Sequence, residues 1–301
     1  MSIVEDIIRL KEEKNAVILA HYYVDEEVQD IADYIGDSFY LSKVATKTDA
    51  DRIIFCGVEF MGESAKILNP NKRVFMPDAT ADCPMAHMAT GEEIEKVKAQ
   101  YEDVAVVCYI NSTAELKTMA DVCVTSSNAV KIVRKLPNEN IFFIPDRNLG
   151  SYVAEQVPEK NIILNAGCCP RHVAITTDKV KEAKAAHPNA LFAAHPECTK
   201  DVLVQADYIG STSGIIDYVV NTNHDEFIIG TVDGVFAEIK KQAPGKKLYT
   251  VKDQQVCVNM KKVTLEKVLD VLAHDTNEVF VEKNLAEKSM KSLQKMLELG
   301  Q

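Results

Sequence analysis

Short apolar runs separated by polar stretches recur along the chain and set its first reading. The segments VILAHYY at 17–23, AVVCYIN at 105–111 and LFAAHPE at 191–197 are apolar and β-rich, which predicts buried strands. Further apolar runs lie at 52–56, 140–144 and 226–230, and again at 73–76, 161–164 and 248–251. Helical periodicity lies between them, as at 92–101 and 177–186, and the opening MSIVEDIIRLKEEK alternates apolar and charged residues at helical spacing. Strands alternating with helices predict parallel sheets covered on both faces, an α/β fold. A last helix and strand, within 264–281, are expected to complete the sheet of the first unit.

The runs repeat. ADYIGDS, ADVCVTS and ADYIGST start at 32, 120 and 206, offsets of 88 and 86. The same offsets relate the runs at 17, 105 and 191, and KRVFMP, KNIILN and KKLYTV at 72, 160 and 246. Three segments sharing one pair of offsets indicate three copies of one unit. The expected domains are 1–88 with 262–301, 89–172 and 173–261, each a small three-layer α/β/α unit.

In parallel sheets, binding residues collect at the carboxyl ends of strands. Those ends read His21-Tyr22-Tyr23, Tyr109-Ile110-Asn111 and His195-Pro196-Glu197, and aligned positions also match Ser38, Ser126 and Thr212. A pseudo-threefold arrangement would bring these sets to one cavity. The three hydroxyls fall at expected helix starts, where they can cap the helix or hold an anion.

Eight cysteines occupy 56, 83, 108, 123, 168, 169, 198 and 257, with no C-x-x-C pair. Cys83, Cys169 and Cys257 lie 86 and 88 residues apart, each a few residues after the last apolar run of its unit. Three converging thiolates suit an iron–sulfur cluster with one open iron, whereas zinc would want a fourth protein ligand if structural, or water if catalytic. Taken singly, each reads first as a core residue, and it is the shared repeat position that turns the reading to ligation. Cys56, Cys108, Cys123 and Cys198 have no counterparts in the other units and read as core.

Composition narrows the class. The chain of 301 residues is 47% hydrophobic and 26% charged, ordinary for a folded globular protein. A net charge of −11 argues against nucleic acid or an anionic membrane as partner. The charged amino terminus and the short apolar runs speak against a signal peptide or a spanning helix, so a cytoplasmic location is expected.

The stretches LAHYYVDEEVQDIADYIGDS, DCPMAHM, YINSTAELKTMADVCVTSSNAV, PDRNLG, CCPRH, HPEC, IGSTSG and VCVNMKK together resemble quinolinate synthase and span 19–262. The resemblance implies three pseudo-symmetric three-layer α/β/α domains around a central [4Fe–4S] cluster. Its ligands would be Cys83, Cys169 and Cys257, with one iron open. The implied reaction condenses iminoaspartate with dihydroxyacetone phosphate to quinolinate, phosphate and water, a step toward NAD. The substrate-contacting set carried over is His21, Ser38, Tyr109, Ile110, Asn111, Ser126, Pro196, Ser211 and Thr212, with Tyr23, His195 and Glu197 in proton transfer. A transient contact with the L-aspartate oxidase or dehydrogenase that supplies iminoaspartate is also implied.

Two stretches depart from the family pattern. Gly167-Cys168-Cys169-Pro170 stands where the family usually has Gly-His-Cys-Pro, and Cys169 keeps the Cys-Pro-x-His spacing to His172. Thr231 is followed by Val232 and Asp233 where the family often has glutamate. Ring formation needs several proton transfers, for which Glu197 beside His195 offers a carboxylate and an imidazole. An anionic substrate is expected to raise the Glu197 pKa. A hydro-lyase with an open iron and a non-catalytic cluster sensor are the competing classes. The Tyr109-x-Asn111 and His195-x-Glu197 pairs favour an enzyme.

Overall fold

The structure, a computed structural model, describes residues 2–301. Among the described residues, twelve strands form three four-stranded sheets. The first holds β1 (Ala16–His21), β2 (Tyr34–Gly36), β3 (Arg52–Cys56) and β4 (Arg73–Phe75). The second holds β5 (Val104–Tyr109), β6 (Val122–Val124), β7 (Asn140–Ile144) and β8 (Asn161–Leu164). The third holds β9 (Leu191–Ala194), β10 (Tyr208–Ile209), β11 (Glu226–Gly230) and β12 (Lys247–Thr250). The orders are β2-β1-β3-β4, β6-β5-β7-β8 and β10-β9-β11-β12, so one strand order occurs three times. Pairing is parallel, as in β1 against β3, where Ala16 faces Arg52 and Ala20 faces Cys56. Val17, Ile18, Leu19 and Ala20 are all buried, whichever face they point to. That two-sided burial makes these strands read as continuous apolar runs rather than alternating ones.

The repeated Ala-Asp pair has a structural cause. Asp33 Oδ2 accepts the Ile18 N–H at 2.8 Å, and Asp207 Oδ2 accepts the Phe192 N–H at 2.7 Å. In both places the aspartate ties the edge strand to the strand beside it. The central strands end earlier than the apolar runs suggest. His195 N still donates to Gly230 O at 3.1 Å, but Cys198 N then turns back to His195 O at 2.9 Å. The polar triplets are thereby left at the strand ends.

By packing, the chain divides into two compact units: Met1–His87 with Ile110–Cys123 and Val258–Gln301, and Met88–Tyr109 with Val124–Cys257. In the first unit, the expected closing strand within 264–281 is reduced to a bridge. The helix Leu265–His274 ends at Asp275, and only Phe75 and Glu278 pair, antiparallel, flanked by Met76 N to Asn277 O at 3.1 Å and Val279 N to Val74 O at 2.8 Å. Asp275 and Asn277 both have φ of 56°, left-handed geometry that interrupts an extended run. Asp275 is held there by Lys14, Arg52 and Arg73 at 2.6, 2.7 and 2.7 Å.

A helix the sequence pattern did not single out, Lys283–Leu299, packs on Ala114–Met119 and Glu59–Leu68 and buries Leu293 and Met296. Among the described residues no helix is long and apolar enough to cross a membrane.

Candidate active site

The strand-end histidines share one local device. His195 Nδ1 accepts the Glu197 N–H, and His21 Nδ1 accepts the Tyr23 N–H, each at 3.2 Å. Accepting at Nδ1 leaves the proton of the neutral ring on Nε2. In His195 that nitrogen donates to Ser126 Oγ at 3.2 Å. In the first unit, His21 meets the Tyr23 ring edge-on at 4.6 Å. Tyr22 N donates to Gly36 O at 3.3 Å, beside the loop leading to Ser38.

In the second unit, Glu197 sits in a closed network. It is 4% exposed, and its Oε1 accepts the Tyr109 hydroxyl at 2.5 Å. Its Oε2 lies 2.7 Å from His172 Nδ1. With Nδ1–H given to the carboxylate, His172 Nε2 accepts from Thr231 Oγ1 at 2.9 Å. The His172 and His195 rings stack at 4.7 Å, and Asn148 Nδ2 donates to Glu197 O at 3.0 Å. Burial alone would push this carboxyl up. The His172 N–H and the Tyr109 hydroxyl, donating to its two oxygens, favour the ion and hold Glu197 well below the usual carboxylate range. The expected upward shift belongs to the substrate-bound state; without substrate the carboxyl is held low.

The neighbouring acid carries the opposite shift. Asp146 is fully buried at the end of β7. Burial first, and then the Glu197 charge, push its carboxyl up to about 8, against backbone N–H groups that favour the ion. It caps the helix Arg147–Gln156 by accepting Leu149 N at 2.7 Å, and its other oxygen accepts Cys169 N at 3.1 Å. The backbone beside it is tight. A Cβ on Gly167 would lie 2.6 Å from Pro145 O, so glycine is required just before Cys168-Cys169.

The cysteines sort by exposure. Cys56, Cys108, Cys123 and Cys198 are buried, whereas Cys83, Cys168, Cys169 and Cys257 are partly exposed. Burial pushes the Cys56 and Cys198 thiols far up, which keeps them protonated and poor as ligands. Cys83 precedes the helical turn Pro84–His87, Cys169 caps Pro170–Val173, and Cys257 comes shortly before the turn Met260–Lys262. Cys169 Sγ lies 3.2 Å from His172 Nδ1, and Cys169, His172 and Glu197 each offer a ligand atom within 4.8 Å of the others.

Ser38 and Thr212 are placed one residue after the capping positions. Asp37 and Ser211 accept the capping N–H groups, so Ser38 and Thr212 become first helical residues. Ser126 precedes its helix, Ala129–Lys135, and bonds His195 instead. In the second unit, Ser126, Pro196 and Ser211 line a cavity of about 380 Å³ together with Tyr152 and Tyr208.

In the first unit, Ile110 is buried, and its carbonyl accepts Ser112 N at 2.7 Å. Asn111 Oδ1 is buried with no hydrogen-bond partner among the described residues, as expected of an acceptor that meets a ligand.

The structure therefore joins Tyr109, Ser126, His195 and Glu197 in one network beside Cys169. It adds His172, Thr231, Asn148 and Asp146, which the repeat alignment passed over. Three of these had a sequence signal. His172 stands three residues after Cys169, and Asp146 and Asn148 follow an apolar strand directly.

Comparison with known proteins agrees with the resemblance. Residues 5–298 match the family model described as Quinolinate synthetase A protein. A quinolinate synthase of Caldicellulosiruptor bescii is 52% identical over 295 residues, covering 98% of this chain and 97% of its own length. One from Fusobacterium nucleatum is 55% identical over 292 residues, with 97% of each chain covered. One from Clostridium perfringens is 46% identical over 300 residues, with both chains covered in full.

Proposed function

The chain belongs to the quinolinate synthetase A family, and we propose that it condenses iminoaspartate with dihydroxyacetone phosphate to quinolinate, phosphate and water. Similarity at this level over the whole chain makes it an enzyme of the quinolinate synthase type. Its place is in NAD biosynthesis, and a reducing cytoplasm would keep its cysteines as thiols. The observation that carries the reading is the buried, ionised Glu197, bonded to Tyr109 and His172 beside the Cys169 sulfur.

The donor set fits a cluster. Of the eight cysteines, the three related by the repeat are all partly exposed, and each follows the last strand of its sheet. Cys83, Cys169 and Cys257 would hold a [4Fe–4S] cluster, with three α/β/α domains at 1–88 with 262–301, 89–172 and 173–261 grouped around it. The threefold strand order supports this grouping. When bound, the cluster supplies an open iron, a Lewis acid for substrate oxygen or nitrogen.

The chain's own residues bind and move protons. Hydroxyls at helix starts, Ser38, Ser211 and Thr212, together with Ser126 in the loop before its helix, hold carboxylate and phosphate groups, which an overall acidic protein must recognise locally. Tyr109 and the backbone of Ile110 and Pro196 shape the pocket, and the Asn111 amide oxygen accepts from substrate. His21 and His195 present Nε2–H as donors, fixed by the bonds at Nδ1.

Glu197, ionised at rest, accepts a proton during imine–enamine exchange. Tyr109 and His172, already bonded to its two oxygens, stabilise the charge until then. Tyr23 and His195 return protons to leaving hydroxyls in the dehydrations.

The test is anaerobic reconstitution of the full chain and of Cys83→Ala, Cys169→Ala, Cys257→Ala and Cys168→Ala. The first three should lose both the cluster's visible absorption and quinolinate formation, and the fourth should keep both. Iron retained without Cys169 but lost without Cys168 would sink the ligand assignment.

A further inference from the structure

We propose that Cys169, His172 and Glu197 form a site for a single borderline divalent cation, zinc above all, which fills when no cluster occupies Cys169. Zinc takes thiolate, imidazole and carboxylate at roughly 2.0–2.3 Å, commonly three protein ligands with water as the fourth. Here Cys169 Sγ, His172 Nδ1 and Glu197 Oε2 face one another, with separations of 3.2 Å from sulfur to nitrogen and 2.7 Å from nitrogen to oxygen. These are hydrogen-bond lengths. An ion replacing the shared proton needs the nitrogen to part from sulfur and from oxygen by roughly 1 Å or less, to the edge of a zinc tetrahedron, with sulfur and oxygen already within 4.8 Å. The imidazole proton moves from Nδ1 to Nε2, and the thiol proton leaves to solvent.

The surroundings already match what a metal ligand set requires. A ligating histidine usually gives its other N–H to a fixed acceptor, and that partner tunes affinity. Thr231 Oγ1 stands 2.9 Å from His172 Nε2 and can take that bond. Glu197 is held through its second oxygen by Tyr109 and through its backbone by Asn148. Asp146 holds the Cys169 backbone. The site differs from the cluster set in using one cysteine instead of three. Only the competition with the cluster rests on the proposed function; zinc binding itself does not.

The experiment uses the full chain, stripped of iron and sulfide and kept reduced, titrated with zinc chloride against a chromogenic chelator. One zinc per chain is expected, unchanged in Cys83→Ala and Cys257→Ala. His172→Ala and Glu197→Gln should each weaken it by more than about 100-fold, and Thr231→Val by about 10- to 100-fold. Cobalt in place of zinc should show tetrahedral bands with the charge transfer of one thiolate. Circular dichroism checks folding, and if His172→Ala misfolds, Glu197→Gln carries the ligand arm. Binding lost in Cys83→Ala or Cys257→Ala but kept in Glu197→Gln would place zinc on the three cysteines and overturn the proposal, as would no stoichiometric binding. Preloaded zinc should also block cluster reconstitution until chelated. Unhindered reconstitution would refute the competition alone and leave the site.

Discussion

Replacing Glu197 by glutamine removes one charge from a buried network while keeping its size. Two short bonds are affected, from the Tyr109 hydroxyl at 2.5 Å and from His172 Nδ1 at 2.7 Å. A hydrogen bond to a charged group contributes about 1.5–3 kcal/mol and a neutral one about 1 kcal/mol, so roughly 1–4 kcal/mol of interaction is lost. The amide is cheaper to bury than the carboxylate, which offsets much of that. Glu197→Gln should therefore fold, bind the cluster and bind substrate.

Turnover should fall about 100-fold or more, equivalent to roughly 2.7 kcal/mol in barrier height, the scale of losing a general base. The folded-state pKa of Glu197 is depressed. Its contribution to stability is thus present above the unfolded value and lost as pH falls through the folded one. Any stability gap between wild type and variant at neutral pH should shrink below about pH 4.5. The assay is anaerobic quinolinate formation alongside the cluster spectrum and denaturant unfolding. Near wild-type turnover with an intact cluster would mean that Glu197 only shapes the pocket.

In the cluster-free chain under native conditions, Cys83, Cys168, Cys169 and Cys257 should react with a thiol reagent and the buried four should not, read by mass spectrometry. Labelling of Cys56 or Cys198 at comparable rates would contradict their burial. Lys117 is fully buried, its Nζ donating to Ser112 O at 2.6 Å and lying 5.6 Å from the Phe60 ring centre. Lys117→Met should cost about 1–3 kcal/mol in denaturant unfolding, the penalty for a buried carbonyl without a partner. Asp275 is held down to about 2, first by its bond to Lys14 and, against the opposing effect of burial, by Arg73 and Arg52. Asp275→Asn keeps a residue suited to left-handed geometry but loses the charge. The wild-type advantage should therefore be full above about pH 4, vanish as pH falls through 2, and weaken in high salt.

Much of the fold was legible because the repeat left three copies of each signal. Shared offsets mark the central strands, the polar triplets at their ends and the three cysteines, and the structure gives three sheets of one strand order. What lacked copies was harder to see. His172, Thr231 and Asp146 act through one network and have no repeat partners, so no alignment exposes them. Ser38 and Thr212 open helices as read, but the capping itself falls to Asp37 and Ser211, because each pair offers two side chains able to cap. The closing strand failed because Asp275 answers to Lys14, Arg52 and Arg73, distant in sequence, rather than to local β-propensity. The Glu197 shift depended on His172, a contact that no sequence spacing announces.

The most direct measurement mixes the anaerobically reconstituted full chain with iminoaspartate and dihydroxyacetone phosphate, and follows quinolinate and phosphate together by chromatography. Both should appear in equal amounts, only with both substrates present, and not with Cys169→Ala. Reconstituted, iron-loaded chain that yields no quinolinate above the enzyme-free mixture would contradict the proposed reaction.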